Sequence, residues 1–144
     1  MEEAKQILKN IKNKGHRYSL ARETILDLVI KNNKPLSYFD LQKLLSKKKL
    51  LVNKTTVYRE LKFLKEQKVI KELQFNDGIK YYEITPKEHH HHIVCNECET
   101  IDHIELKKDL EETEKQIAKN NNFKVFDHSL EFYGLCQKCQ LSAK

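Results

Sequence analysis

The stretch Glu88-His89-His90-His91-His92-Ile93-Val94-Cys95-Asn96-Glu97-Cys98 constrains the chain more than any other. Four successive imidazoles run through an apolar pair into a Cys-x-x-Cys knuckle, so nitrogen and sulfur ligands meet within eleven residues. Successive side chains on a β-strand point to opposite faces, so a strand here sends His89 and His91 one way and His90 and His92 the other. One strand can then serve two sites. Cys95 and Cys98 have a counterpart in Cys136-Gln137-Lys138-Cys139 near the far end of the sequence. Two such pairs make a closed, tetrahedral, structural Zn²⁺ centre. A pair of disulfides would need an oxidising compartment, and nothing in the sequence suggests export. An expression tag would sit at a terminus, whereas this histidine run is internal.

A length of 144 residues suits one ordinary domain or two small ones, and 39% hydrophobic against 33% charged residues suits small cores under a solvated surface. No basic segment followed by an apolar run opens the sequence, and no stretch approaches the roughly 18 apolar residues of a membrane span. The expectation is a soluble, cytoplasmic protein with no membrane partner. Charge divides the chain. Residues 1–80 carry 19 Lys/Arg and 9 Asp/Glu, whereas residues 81–144 carry 8 and 12. A basic half is an electrostatic footprint for a polyanion; the acidic half holds the His/Cys cluster.

Ile7, Leu8 and Ile11 lie at helical spacing before Gly15. Ser19 can cap a second helix with Ile25, Leu28 and Val29 inward, ending near Asn32-Asn33. Ser37 with Asp40 resembles a capping box for a third, which turns Leu41, Leu44 and Leu45 inward. Asn53 is a natural cap for a fourth, Lys54 to about Gln67, whose inward residues are Val57, Leu61 and Leu64. Thr55, Arg59 and Lys62 then project from its other, basic side. Leu73-Gln74-Phe75 and Ile79-Lys80-Tyr81 flank Asn76-Asp77-Gly78, a strong hairpin signal. Helices followed by a two-stranded hairpin spell a winged helix, with the fourth helix placing its N-terminal residues in a DNA major groove. Thr56, Tyr58 and Arg59 have the chemistry to reach phosphates and base edges. The competing reading is an ordinary amphipathic helix in a bundle.

Pro86 cannot continue a central strand, and the domain boundary is placed there. Beyond it, 91–95 and 100–106 read as strands, 108–120 as a helix with Leu110 and Ile117 inward, and 123–135 as a long strand. So small a module buries little apolar surface alone, so zinc and a partner subunit are expected to complete it.

Thr55-Thr56-Val57-Tyr58-Arg59, the His89–Cys98 stretch, and His128-Ser129-Leu130-Glu131-Phe132-Tyr133-Gly134-Leu135-Cys136 together resemble the ferric uptake regulator family of metal-dependent transcription factors. The resemblance spans about Arg17 to Cys139. It implies an α+β chain: a winged helix-turn-helix DNA-binding domain over 1–84, a hinge over 85–88, and a small α/β metal-binding dimerisation domain over 89–144. The implied protein is a homodimeric repressor that binds palindromic double-stranded operator DNA when a divalent metal occupies its sensor site, and so controls metal uptake genes. By position, Cys95, Cys98, Cys136 and Cys139 correspond to structural zinc ligands; Glu83, His90, His92 and His103 to the regulatory site; and His89, His91, Glu111 and His128 to a further site. Arg22 falls where the family has an arginine that contacts the DNA backbone. The regulatory ion is expected to be Fe²⁺ or Zn²⁺, with Mn²⁺ a third candidate, because imidazole suits several divalent metals.

Some positions depart from the family pattern. The usual histidine before the third helix is replaced around Lys34-Pro35, leaving Glu83 to link the hinge to the sensor. His103 stands where an acidic ligand is usual, with Asp102 adjacent as the alternative. His91 replaces an Asp of the iron-sensing branch, and the zinc-sensing and peroxide-sensing branches are alternatives within the family. Metal binding is expected to fix the hinge so that a dimer's two reading helices match half-sites about one DNA turn apart. A reading from another class is a zinc deaminase, since His103-Ile104-Glu105 followed by Cys136-x-x-Cys139 imitates that motif order. A metal-storing protein that happens to be basic is a third.

Overall fold

The computed structural model describes residues 2–86, 89–108 and 110–142, so Lys87 and Glu88 of the expected hinge lie outside the described residues. The chain divides into two compact units, Met1–Lys87 and Glu88–Lys144.

In the first unit, α1 (Glu2–Asn13) buries Ala4 and Ile11, and Gly15 turns the chain away at φ +87°. The Ser19 side chain accepts from Arg22 N to cap α2 (Leu20–Lys31), which buries Ile25, Leu26, Leu28 and Val29. A two-residue strand, β1 (Leu36–Ser37), leads directly into α3 (Tyr38–Lys47). The expected capping box is present: Ser37 Oγ accepts from Asp40 N, and the Asp40 carboxylate accepts from Ser37 N. Asn53 Oδ1 accepts from Thr56 N, 2.8 Å away, to start α4 (Lys54–Glu66), with Val57, Glu60, Leu61 and Leu64 buried.

The hairpin strands, β2 (Ile70–Gln74) and β3 (Lys80–Ile84), pair in register Leu73↔Tyr81, and β1 adds to the free edge of β3 to give the order β1-β3-β2. Both strands run further from the turn than expected, and the connection is five residues long. Within it Gly78 takes φ +72°, Asp77 Oδ1 accepts from Ile79 N, and Tyr81 OH donates to Asp77 Oδ2 at 2.6 Å. The strand β1 was not foreseen, since two residues carry no period. The hydrophobic core cluster lies wholly within this unit, from Ala4 to Tyr82.

The second unit is a three-stranded sheet of order β5-β4-β6, built from β4 (His91–Cys95), β5 (Ile101–Ile104) and β6 (Glu131–Gly134). β5 runs antiparallel to β4 and β6 parallel to it. Two helices accompany the sheet: α5 (Glu111–Asn121), which ends with Asn122 in the left-handed region, and the short α6 (Gln137–Ser142). The long strand expected over 123–135 shortens to Glu131–Gly134, because only those residues find a hydrogen-bonded partner along β4. The expectation that Ile117 points inward fails as well. α5 contributes no buried residue to its own chain, and Ile117 is 46% exposed.

Candidate metal centres and recognition helix

The strand β4 ends in Cys95, and a turn brings Cys98 back toward it, with Glu99 N donating to Cys95 O. Because β6 runs parallel to β4 in register Cys95↔Gly134, the chain leaves the sheet with Cys136 beside Cys95, and one turn of α6 adds Cys139. The four sulfurs lie within 4.8 Å of one another, and all four cysteines are free of disulfides. Cys136 N donates to Cys95 Sγ at 3.3 Å, which is the chief reason the Cys95 thiol is pulled down to about 6. Cys139, engaged foremost by the Cys136 sulfur, is pushed up to about 12. Four thiolates this close repel one another, and a thiophilic dication removes that cost. The donor set therefore fits zinc in a closed site, as the sequence led us to expect.

The alternation of β4, carried back through the two residues before it, divides the histidines. His92 stands directly opposite His103 on β5, and His90 joins them, with ring centroids 4.3 Å from His103 and 5.0 Å from His92. The ligand nitrogens of these three lie within 4.8 Å of one another. Asp102, the alternative to His103, is the neighbouring residue on β5 and pairs with Ile93, so it faces the other side of the sheet. Glu83 is buried in the first unit on β3, across from Lys71.

His89 and His91 turn to the opposite side and meet His128, with ligand nitrogens again within 4.8 Å. His89 Nε2 and His128 Nε2 are 2.7 Å apart, too close for both to carry a proton, which suits two nitrogens converging on one cation. Glu114 Oε1 sits 2.5 Å from His128 Nδ1 and orients that ring, the usual outer-shell partner of a metal-binding imidazole. Glu111, expected in this set, is not brought into the cluster; its exposed carboxylate accepts from Lys115 Nζ at 2.7 Å. The sequence reading missed Glu114. It lies three residues further along the same helix face, a choice that spacing alone leaves open.

On α4, Thr55, Tyr58, Arg59 and Lys62 are exposed and Thr56 is half-buried at the capped N-terminus. Arg22 is turned inward: its Nε donates to Glu60 Oε2 at 2.8 Å and its Nη1 to Arg17 O at 2.9 Å, so in this structure it ties α2 to α4. The deaminase reading fails on geometry. His103 belongs to one cluster, Cys136 and Cys139 to another, and Glu105 to none among the described residues.

A winged helix joined in one chain to a sheet carrying sulfur and imidazole clusters defines a class: transcription regulators built from a DNA-reading domain and a metal-binding dimerisation domain. The chain belongs to the ferric uptake regulator family, whose pattern matches residues 13–133. It is similar to the ferric uptake regulation protein of Bacillus subtilis, 33% identical over 138 residues, covering 93% of this chain and 92% of that one. The peroxide operon regulator of the same organism is 31% identical over 137 residues, covering 95% and 93%. Among solved structures, the Helicobacter pylori ferric uptake regulator, which has three functional metal binding sites, superposes with a TM-score of 0.80 at 27% identity, covering 96% of this chain and 93% of that one. The family regulates transcription and is not one of enzymes. Among the described residues no helix is long and apolar enough to cross a membrane.

Proposed function

We propose that this protein is a metal-dependent repressor that binds palindromic operator DNA as a homodimer. In this reading Cys95, Cys98, Cys136 and Cys139 hold structural Zn²⁺, and Glu83, His90, His92 and His103 form the regulatory site for Fe²⁺, Zn²⁺ or Mn²⁺. His89, His91 and His128 hold a further ion, with Glu114 orienting His128. The observation that carries the reading is the division of one histidine run between two clusters by the alternation of β4. A divalent cation in the regulatory site would supply the positive charge that lets a carboxylate and three imidazoles converge.

Glu83 is the link to the DNA-reading unit. It lies on β3, the strand that pairs with both β1 and β2, so whatever holds its carboxylate holds the wing and, through β1, the start of α3. His90, His92 and His103 bring the second unit to the same ion, which fixes the 85–88 hinge between the units. With the hinge fixed, Thr55, Thr56, Tyr58, Arg59 and Lys62 on each protomer face their half-site together, and Arg22 holds α4 in place from behind. The B. subtilis relatives include both an iron and a peroxide regulator, so the ion is assigned by measurement.

The test is DNA binding by the full chain on duplexes it selects from a random pool, with each ion in turn. A chelator that removes the regulatory ion and leaves zinc in place should cost at least about tenfold in affinity, and Glu83→Gln should blunt that dependence. Binding that stays the same after the ion is gone overturns the proposal. Steep loss of affinity with added salt is expected throughout, because each neutralised phosphate releases counterions.

A further inference from the structure

The first turns of α3 and α4 meet through aromatic rings. Tyr58 of α4 stacks on Tyr38, the first residue of α3, with ring centroids 4.9 Å apart and planes 11° from parallel. Lys54 Nζ lies 5.8 Å from the centroid of each ring. Phe39 sets its edge against Tyr38 at 5.6 Å and is itself 68% exposed. The two stacked rings differ in setting: Tyr38 is 7% exposed and Tyr58 39%. Tyr38 is also held from below. The residue before it forms the Ser37–Asp40 capping box and pairs with Tyr81 in the sheet.

A tyrosine on an exposed helix face ordinarily exchanges between rotamers, and each contact it then makes costs the ordering of its ring. Stacking on a buried, capped partner removes that freedom in advance. The exposed part of a ring so held presents an apolar edge and a hydroxyl side by side. In the major groove the one apolar mark on a base pair is the C5 methyl of thymine.

We infer that Tyr38 is a positioning residue which, by stacking on Tyr58, fixes that ring as the reader of a thymine methyl and so sets base preference at that position. The inference rests on the DNA-binding reading above. It assigns to α3 a part in specificity that its own exposed residues do not reveal.

The probes are duplexes selected from a random pool by the full, metal-loaded chain, in which thymines are replaced singly by uracil to remove the methyl alone. Wild type should prefer thymine over uracil about fourfold at one position per half-site, the worth of one buried methyl group. Tyr38→Phe keeps the ring and should keep the preference. Tyr38→Leu keeps apolar volume without the stack and should bring the preference near unity while leaving the salt dependence unchanged. A Tyr38→Leu protein that still prefers thymine, a Tyr38→Phe protein that does not, or a wild type indifferent to every uracil overturns the inference alone. If wild type selects no sequence at all, the DNA-binding reading falls and this inference with it. Should Tyr38→Leu not fold, NMR of the wild-type tyrosine rings carries the test. Tyr58 signals, assigned with Tyr58→Phe, should be shifted upfield by the face of Tyr38, and unshifted signals overturn it.

Discussion

Glu60 is a carboxylate only 4% exposed, on the same face of α4 as Val57, Leu61 and Leu64. It is tolerated there because its oxygens are fully engaged: Ser19 Oγ donates to one at 3.0 Å and Arg22 Nε to the other at 2.8 Å. The Arg22 guanidinium in turn lies 3.7 Å from the centroid of the Phe63 ring, and His16 meets that same ring edge-on with centroids 4.9 Å apart. Replacing one partner of such a pair leaves the other charge buried and uncompensated, which typically costs about 3–5 kcal/mol. Glu60→Ala should therefore lower the unfolding free energy by about 3 kcal/mol in urea titration, and a loss below about 1 kcal/mol would place the pair in the weak class of surface bridges. The sequence offered half of this. A glutamate at an inward helical position is visible as an anomaly, but its partner is 38 residues away on another helix, and no local pattern connects them. Arg22, which the resemblance makes a contact to the DNA backbone, ties α2 to α4 through Glu60 in this structure.

Helices were legible where their ends are local chemistry. Ser19, the Ser37–Asp40 box and Asn53 all cap as their side chains dictate, since a cap depends only on the next three residues. Strands were less so. Both β1 and the shortened β6 exist because of partners distant in sequence, Tyr81 and Tyr82 for one and His92 to Cys95 for the other. The misjudged face of α5 has the same origin. Its apolar residue Ile117 is exposed, as are Phe123, Phe126 and Phe132 in the same unit. A second copy of the chain is the expected cover. Ile117→Glu should raise the dimer dissociation constant at least tenfold, a change of about 1.4 kcal/mol, measured by sedimentation with zinc held constant. An unchanged dimer would move the interface off α5.

The two units are unequal in what holds them. The first owns the hydrophobic core cluster; in the second, Cys95 and Ile101 are the buried apolar residues among those described. A sheet with so little apolar burial relies on cross-links. Zinc held by the four sulfurs would supply one, joining the end of β4 to the end of β6 and to α6. Stripping zinc with a strong chelator should therefore melt the second unit while the first keeps its transition, seen as one of two calorimetric steps shifting down by tens of degrees. A single transition that moves as a whole would mean that the units do not melt independently. The gathering of the four cysteines was legible, because two Cys-x-x-Cys pairs at that spacing have few other uses. The histidine partition was legible from strand geometry, whereas Glu114 needed coordinates.

That partition carries a rule of parity. Neighbours in the run lie in different clusters, and the pairing of β4 with β5 pins His91 and His92, so one residue inserted between His90 and His91 would send His89 and His90 each to the other's side. A change of two would return each imidazole to its own side. At that point the division of the run survives even changes in length and not odd ones.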